Sequence, residues 1–162
     1  MKIKEIEEDN WDGILEIQDE AYHEVGPEKL NVLKSKQSVS PETCFVCVSE
    51  QGDILGYLLA HPWNGSEPPK LFEPLPDIGN SDSLYLHDMA VSLPSKGQGV
   101  GRSMMAKLIK VAELKGFKRI TLVAIQGADS FWSLLGFKAI SGANICSNYG
   151  ENAVLMEKVL MA

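Results

Sequence analysis

The sequence contains no long hydrophobic run, since none of its segments approaches the ~20 consecutive apolar residues that a membrane-spanning helix needs. Residues 1–5 also lack the apolar stretch of a secretory signal peptide. Both absences predict a cytoplasmic protein without membrane contacts. The chain has 162 residues, 44% of them hydrophobic, which is enough to bury one core, and we expect a single domain over residues 1–162.

Cysteine is scarce as well. The chain has three cysteines, an odd number, and Cys44 and Cys47 lie in an apolar segment whose strand geometry would point them to opposite faces. A disulfide framework is therefore not expected. A metal site at this pair would need a second cysteine or histidine pair, which does not accompany it. We expect reduced core thiols and no bound metal.

Positive charge is in deficit, because the formal net charge is −7 at pH 7. Binding to nucleic acid is dominated by neutralisation of phosphates, so this balance argues against a nucleic-acid partner. Residues 96–119 are the exception, with seven basic residues against Glu113 alone. A solvated helix face accounts for most of these lysines, whereas Lys96 and Arg102 flank a glycine-rich segment and can meet phosphates directly.

The spacing of apolar residues predicts an alternation of strands and helices. The segment over 120–125 is almost wholly apolar, which is typical of a strand covered on both faces and paired in parallel with its predecessor, so residues 83–125 are predicted to form a βαβ unit. In chain order we predict a strand over 2–6, a helix capped by Asp9 or Asn10, a short helix over 28–36, a hairpin of strands 43–48 and 54–60, a surface loop over 62–82, a strand over 83–91, a glycine-rich turn over 93–101, a helix over 102–115, a strand over 120–125, a short helix from Asp129 and two closing strands within 137–160.

The glycine-rich turn carries Gly97, Gly99 and Gly101 from a strand into a helix. Glycine lets the backbone approach a ligand closely, and the start of a helix presents free N–H groups that bind phosphate. The spacing differs from the Walker motif, because no Lys-Ser or Lys-Thr follows the last glycine, and from the dinucleotide pattern GxGxxG. Taken alone, the turn is also consistent with a tight structural connection.

Three motifs in this order resemble the signatures of the GCN5-related N-acetyltransferases (GNAT). They are Leu86-His87-Asp88-Met89-Ala90-Val91, Lys96-Gly97-Gln98-Gly99-Val100-Gly101 and Phe131-Trp132-Ser133-Leu134-Leu135-Gly136-Phe137. Lys96 stands where the family prefers glutamine or arginine, which keeps a donor at this position. The resemblance implies an α/β (α+β) fold: a mixed, mostly antiparallel sheet of six to seven strands, splayed in a V between strands 83–91 and 120–125 and flanked by about four helices.

The same resemblance implies acetyl-CoA as the co-substrate. The backbone N–H groups from Gln98 to Ser103 would hold its pyrophosphate, and Met89 and Val91 would pair with its pantetheine arm. The residues implied to contact acetyl-CoA are Met89, Ala90, Val91, Lys96, Gly97, Gln98, Gly99, Val100, Gly101, Arg102, Ser103, Phe131 and Trp132.

The catalytic groups are less well marked. Trp132 stands where many family members have a tyrosine that protonates the leaving thiolate, and an indole cannot do so. Strict alternation along the strand over 83–91 places Tyr85 and His87 on the same face as Met89 and Val91.

We predict that Tyr85 and His87 assist deprotonation, because the context of His87 resembles arylalkylamine acetyltransferases, and that Tyr149 supplies a hydroxyl. Asp88 is expected to face the other way and to fix loop or sheet backbone. The alternatives are a structural histidine and a plain turn tyrosine. His61, at the end of a strand, and His23 are weaker candidates.

The predicted function is therefore N-acetyltransfer from acetyl-CoA, by direct transfer, to a primary amine of a small molecule or peptide. Ten acidic residues within residues 1–28 would attract a cationic amine, unless they merely face water. A protein that binds acyl-CoA without turnover is the alternative, because Trp132 replaces the usual acid. An interaction protein that keeps only the fold is a third reading. The sequence leaves both a monomer and a homodimer open.

Overall fold

The computed structural model describes residues 1–21, 27–64, 68–74, 81–125, 127–141, 145, 149–150 and 152–160. Within them, seven strands form one mixed sheet in the order β1-β2-β3-β4-β5-β7-β6, flanked by four α-helices. The elements are β1 Lys2–Glu5, α1 Trp11–Ala21, α2 Leu30–Val39, β2 Cys44–Val48, β3 Ile54–Pro62, β4 Ser83–Val91, α3 Val100–Leu114, β5 Arg119–Ala124, α4 Asp129–Leu134, β6 Lys138–Ala139 and β7 Val154–Val159.

The sheet is covered on both faces, and each face follows from a periodic apolar pattern. Met104, Met105 and Leu108 recur at helical spacing and pack α3 against one face. Ile14 and Ile17 of α1 belong to the core on the other face, together with Leu33 of α2. The helices of the described part include none that is long and apolar enough to cross a membrane.

The hairpin of β2 and β3 confirms the predicted turn between them. Cys44 pairs with Leu59 and is buried in the core beside α1, whereas Cys47 pairs with Gly56 and is buried beside α3. The two thiols therefore face opposite sides of the sheet, as predicted, and both are free. Burial raises the pKa of Cys44 to about 12, so this thiol stays protonated at neutral pH.

One irregularity in β4 decides which side chains reach the functional face. Leu59 pairs with Asp88 but its neighbour Ala60 pairs with Leu86, so His87 is an extra residue in β4. Such a β-bulge interrupts the alternation of side chains and re-aims those on either side of it.

The prediction that Tyr85, His87, Met89 and Val91 share one face is wrong for this reason. Met89 and Val91 pack against the core beside α3. Tyr85 and His87 have their rings 6.0 Å apart on the opposite face. Asp88, predicted to face away from His87, lies on the same side as His87, because the bulge shifts it by one position.

The parallel pairing of β4 and β5 ends at Leu86 and Leu122. β4 nevertheless continues to Val91 and β5 continues to Ala124. The two strands therefore separate toward their C-terminal ends, which confirms the predicted V-shaped splay.

The segment predicted as a surface loop over 62–82 is described in part, since 65–67 and 75–80 lie outside the described residues. Pro62 is the last residue of β3. Residues 68–74 contain no helix or strand, and Lys70 and 72–74 are exposed, as predicted for a surface loop. Pro68, Pro69 and Leu71 are buried and anchor this stretch, and Leu71 lines the cleft described below.

Gly56→Ala is expected to lower the free energy of unfolding by about 1–3 kcal/mol. A Cβ at this position of β3 would lie 2.9 Å from the carbonyl oxygen of Ala90 and 3.0 Å from Val100, where α3 approaches the sheet. Urea denaturation measures the loss. Gly101→Ala is the matched control, because its Cβ would meet Met89 at 3.4 Å, an ordinary contact. Equal stability of the two variants would contradict this account of the packing.

Candidate functional site

A cleft of about 540 Å³ lies between the separated ends of β4 and β5. The glycine-rich loop, α4 and the segment before α2 complete its walls. The predicted site residues that line it are His87, Met89, Ala90, Val91, Lys96, Gly97, Gly99, Val100, Gly101, Arg102, Phe131, Trp132 and Tyr149. Of the predicted residues, Tyr85, Gln98 and Ser103 are not among the lining set.

The glycine-rich loop owes its shape to two left-handed residues. Gly97 has φ 83° and Gly99 has φ 80°, a region that side-chain-bearing residues rarely adopt. A Cβ at either position would meet nothing within 4 Å, so the space in front of the loop is open. Gly99 is the N-cap residue of α3, and the loop therefore delivers the start of this helix to the cleft.

The donors available in this loop are fewer than predicted. The N–H of Gln98 donates to the Ser95 carbonyl oxygen at 3.3 Å, and the N–H of Ser103 donates to the Gly99 carbonyl oxygen at 3.0 Å. The predicted set of free backbone donors, Gln98 to Ser103, is therefore too wide at both ends. The N–H groups of residues 100–102 precede the first helical hydrogen bond and point out of the helix start, where the helix dipole favours an anion.

Basic side chains stand at the mouth of the cleft. Lys96 and Arg102 are exposed and line it. Lys115, at the far end of α3, instead pairs with Glu42 at 2.9 Å. The two basic residues that flank the glycines are therefore the ones placed to meet an anionic ligand.

An aromatic wall faces the loop. Trp132 of α4 is buried and stacks edge-on against Phe131 and Phe137, with ring centroids 5.0 and 5.6 Å away. A Cβ on Gly101 would lie 3.8 Å from Phe131, so α4 closes over the start of α3. The indole contributes apolar surface here and no acid.

At the other end of the cleft lies a buried hydrogen-bonded pair, His87 and Glu28, that the sequence analysis did not find. His87 Nε2 and Glu28 Oε1 are 2.6 Å apart, with side-chain exposures of 1% and 6%. His87 Nδ1 is also buried and has no hydrogen-bond partner among the described residues. Both side chains line the cleft.

Glu28 is held on all sides. Its backbone N–H donates to Gln18 Oε1 and its carbonyl oxygen accepts from Gln18 Nε2, both at 3.0 Å. The backbone N–H of Phe72 donates to Glu28 Oε2 at 2.7 Å. Burial raises the pKa of Glu28, but the hydrogen bond and charge of His87, the charge of Lys36 and the Phe72 N–H outweigh it, so the pKa lies below its usual value. The carboxylate is therefore ionised at neutral pH.

Lys36 is a second buried charge in this region. Its side chain is fully buried, and Nζ donates to the Glu73 carbonyl oxygen at 3.2 Å. Burial lowers its pKa, which the nearby charges of Glu28, Asp88 and Glu73 partly restore. Lys36 thus joins α2 to the segment over 68–74, which also contacts Glu28 through the Phe72 N–H.

Two tyrosines form a chain of hydroxyl groups. Tyr149 donates to the Pro69 carbonyl oxygen, and its oxygen lies 3.1 Å from the hydroxyl of Tyr85. Since the Tyr149 proton points to Pro69, Tyr85 donates to Tyr149. Burial and the neighbouring Tyr149 raise the pKa of Tyr85 well above its usual value. Tyr85 therefore stays protonated at neutral pH. Asp88 Oδ2 accepts a separate hydrogen bond from Tyr57 at 2.7 Å.

His61, the weaker candidate near the end of β3, is fully buried. Its ring lies 5.7 Å from Tyr85 and 6.1 Å from His87, and Nδ1 lies 2.9 Å from the Pro62 carbonyl oxygen. Burial, followed by the charge of His87, lowers its pKa to about 3. His23 lies outside the described residues.

The His61 ring is expected to remain neutral when the pH is lowered from 8 to 5. Its ring C–H signals in a two-dimensional NMR titration should not move over this range, with the assignment taken from a His61→Gln variant. The unfolded chain binds this proton near pH 6.5 and the folded protein only near pH 3, so His61 makes the protein less stable as the pH falls through that interval. A titration midpoint between pH 5 and 8 for this signal would refute the assignment.

Comparison with protein families gives a match over most of the chain. The model described as "Acetyltransferase (GNAT) family" matches residues 11–137. No curated protein matches the chain.

Many solved structures share the fold. Ard1 from Thermoplasma volcanium has a TM-score of 0.78 at 14% identity, with 99% of this chain and 98% of that chain covered. The ribosomal-protein-S18-alanine N-acetyltransferase from Escherichia coli has a TM-score of 0.69 at 18% identity, covering 99% and 95%. GphF, a GNAT-like decarboxylase in complex with isobutyryl-CoA, has a TM-score of 0.76 at 15% identity, covering 99% and 100%. At these identities the likeness establishes the fold.

Proposed function

Because the chain belongs to the acetyltransferase (GNAT) family, we propose that it moves an acetyl group from acetyl-CoA to a primary amine by direct transfer in a ternary complex. The acceptor is a small molecule or a peptide. The observation that carries the proposal is the cleft between β4 and β5, because its two ends differ in chemistry. One end offers backbone donors and basic side chains, and the other offers a buried base held by a carboxylate.

The loop end suits the pyrophosphate of acetyl-CoA. The N–H groups of residues 100–102 and the charges of Lys96 and Arg102 would bind the anion, and left-handed Gly97 and Gly99 keep side chains out of its way. The pantetheine arm would then follow the cleft-facing edge of β4 beyond Leu86, where pairing with β5 has ended. This places the thioester near the centre of the cleft.

The opposite end would deprotonate the amine. When the amine nitrogen attacks the thioester carbon it must lose a proton, and His87 Nδ1 is placed to accept it, directly or through one water. Collapse of the tetrahedral intermediate breaks the C–S bond, and the thiolate takes up a proton. Among the described residues that line the cleft, Tyr149 is the one tyrosine, so we assign it this second role, with Tyr85 holding it in place.

The alternative is a protein that binds acyl-CoA without turnover. Two observations favour it: Trp132 cannot protonate a thiolate, and the Tyr149 proton already points to Pro69. GphF, a GNAT-like decarboxylase in complex with isobutyryl-CoA, has the same fold, and one fold can support different reactions.

The test is release of free thiol when the protein is incubated with acetyl-CoA and a panel of acceptors. The panel should include alkylamines, aromatic amines, peptides with a free N-terminus and peptides in which a lysine carries the sole amine. The transferase predicts acceptor-dependent release and a product heavier by one acetyl group. Bound acetyl-CoA that stays intact with every acceptor would favour the binding protein instead.

A further inference from the structure

We infer that Glu28 is a positioning residue that fixes the tautomer of His87, with the proton on Nε2 and the lone pair on Nδ1. The inference rests on the proposed function for its kinetic consequence. Its structural content, the tautomer, stands without it.

The geometry of the pair sets the direction of the hydrogen bond. A distance of 2.6 Å between His87 Nε2 and Glu28 Oε1 requires one proton between them. A carboxylate only accepts hydrogen bonds, and the other oxygen of Glu28 already accepts the Phe72 N–H, so the proton belongs to the imidazole and Nε2–H donates to Glu28. Nδ1 is then an acceptor, and no described residue occupies it.

The carboxylate is rigid enough to impose this choice. Gln18 clamps both backbone groups of Glu28, and the Phe72 N–H binds the second carboxylate oxygen. Lys36 adds a positive charge nearby. Glu28 therefore has no freedom to turn away from His87, and a buried carboxylate beside an imidazole stabilises the imidazolium that forms when Nδ1 takes a proton. In this step the proton moves from the amine nitrogen to Nδ1, while Glu28 keeps its charge.

Phe72 makes the role of Glu28 testable by a single isosteric change. In Glu28→Gln the Phe72 N–H still requires an acceptor, so the amide oxygen stays toward Phe72. The amide NH₂ is then directed at His87 Nε2 and donates to it, which leaves the ring proton on Nδ1. The variant should thus invert the tautomer and remove the base without removing the ring.

The direct experiment is ¹⁵N NMR of the imidazole rings, in which the coupling pattern distinguishes a protonated from an unprotonated ring nitrogen. We expect the wild-type protein to carry the proton of His87 on Nε2 and Glu28→Gln to carry it on Nδ1. The measurement on wild type needs neither a variant nor an active enzyme. A wild-type proton on Nδ1 would overturn the inference.

The kinetic experiment uses the acceptor that gives thiol release. Glu28→Gln should lower kcat by about 100-fold or more, with the KM for acetyl-CoA within about twofold. In a His87→Ala background, Glu28→Gln should lower kcat by no more than about a further twofold, because Glu28 acts only through His87 and that side chain is already absent. Glu42→Gln is the matched control, since Glu42 pairs with Lys115 on the surface, and it should retain full activity.

The outcomes separate the two claims. A wild type with no thiol release refutes the proposed function and leaves the tautomer to be decided by NMR. An active wild type whose kcat falls by less than about threefold in Glu28→Gln refutes the positioning role. Additive losses in the double variant also refute it, because a merely structural Glu28 would act independently of His87.

Discussion

Gly99→Glu is expected to weaken acetyl-CoA binding by about 100-fold or more, because juxtaposed like charges cost several kcal/mol. Gly99 is the N-cap residue of α3 and lies in the wall of the cleft, in front of the helix start that would hold the pyrophosphate. A glutamate there adds bulk and a negative charge where an anion must sit. Calorimetric titration with acetyl-CoA measures the loss directly.

The matched control for this change is Gly116→Glu. Gly116 has φ 82° against 80° for Gly99, and a Cβ at either position meets nothing within 4 Å. Both variants should therefore lose about 1–2 kcal/mol of stability from the left-handed backbone. Gly116 follows the C-terminal end of the same helix, away from the cleft, so its variant should bind acetyl-CoA normally. Equal affinity of the two variants would show that the loop does not hold the ligand.

His87→Ala is expected to lower kcat by about 10²–10⁴-fold, the usual contribution of a general base. The affinity for acetyl-CoA should stay within about twofold, because His87 lies at the acceptor end of the cleft and not at the loop. Added imidazole should restore part of the activity, since the substitution leaves a space of its size beside Glu28. Thiol release and calorimetry on the same sample separate turnover from binding.

Two further measurements guard this interpretation. The melting temperature of His87→Ala should fall, because Glu28 is left buried without its imidazole partner, so the kinetics should be recorded well below that melting temperature.

Tyr149→Phe tests the proposed protonation of the leaving thiolate and should reduce turnover without any rescue by imidazole. A His87→Ala variant with kcat within about threefold of wild type would remove His87 from the mechanism.

The fold was accessible from sequence because its signals are local. Helical spacing marked α3, the apolar run marked β5, and the glycines marked the helix start between them. Each depends on neighbouring residues alone. The arrangement of the sheet and its splay came instead from the family resemblance that the three motifs carry.

The side-chain arrangement around His87 was harder to predict from the sequence, because it depends on the register in which β4 pairs with β3. The bulge at His87 arises from how β4 pairs with β3, and no alternation pattern records an extra residue. Strict alternation therefore put Met89 and Val91 on the wrong face relative to His87. The two end donors of the loop were misjudged for a similar reason, since internal bonds of Gln98 and Ser103 depend on the fold of the turn.

The burial of Glu28 beside His87 was not predicted, because an acidic residue in an acid-rich segment is normally expected to face water. It is buried only because Gln18, Phe72 and His87, from three other parts of the chain, supply its hydrogen bonds. The predicted helix over 28–36 began at Glu28, and an acidic residue in the first turn of a helix is expected to face water. In the structure α2 begins at Leu30, so Glu28 precedes the helix and helical spacing does not indicate its partners.

The central claim is that acetyl-CoA lies in the cleft between β4 and β5 with its pyrophosphate on the start of α3. A ¹H–¹⁵N NMR titration with CoA tests it most directly, because each backbone N–H reports separately. The account predicts that the N–H signals of Val100, Gly101 and Arg102 move most, followed by those of Met89 to Val91, while those of β1 stay in place. No change in the spectrum, or changes centred away from the glycine-rich loop, would contradict it.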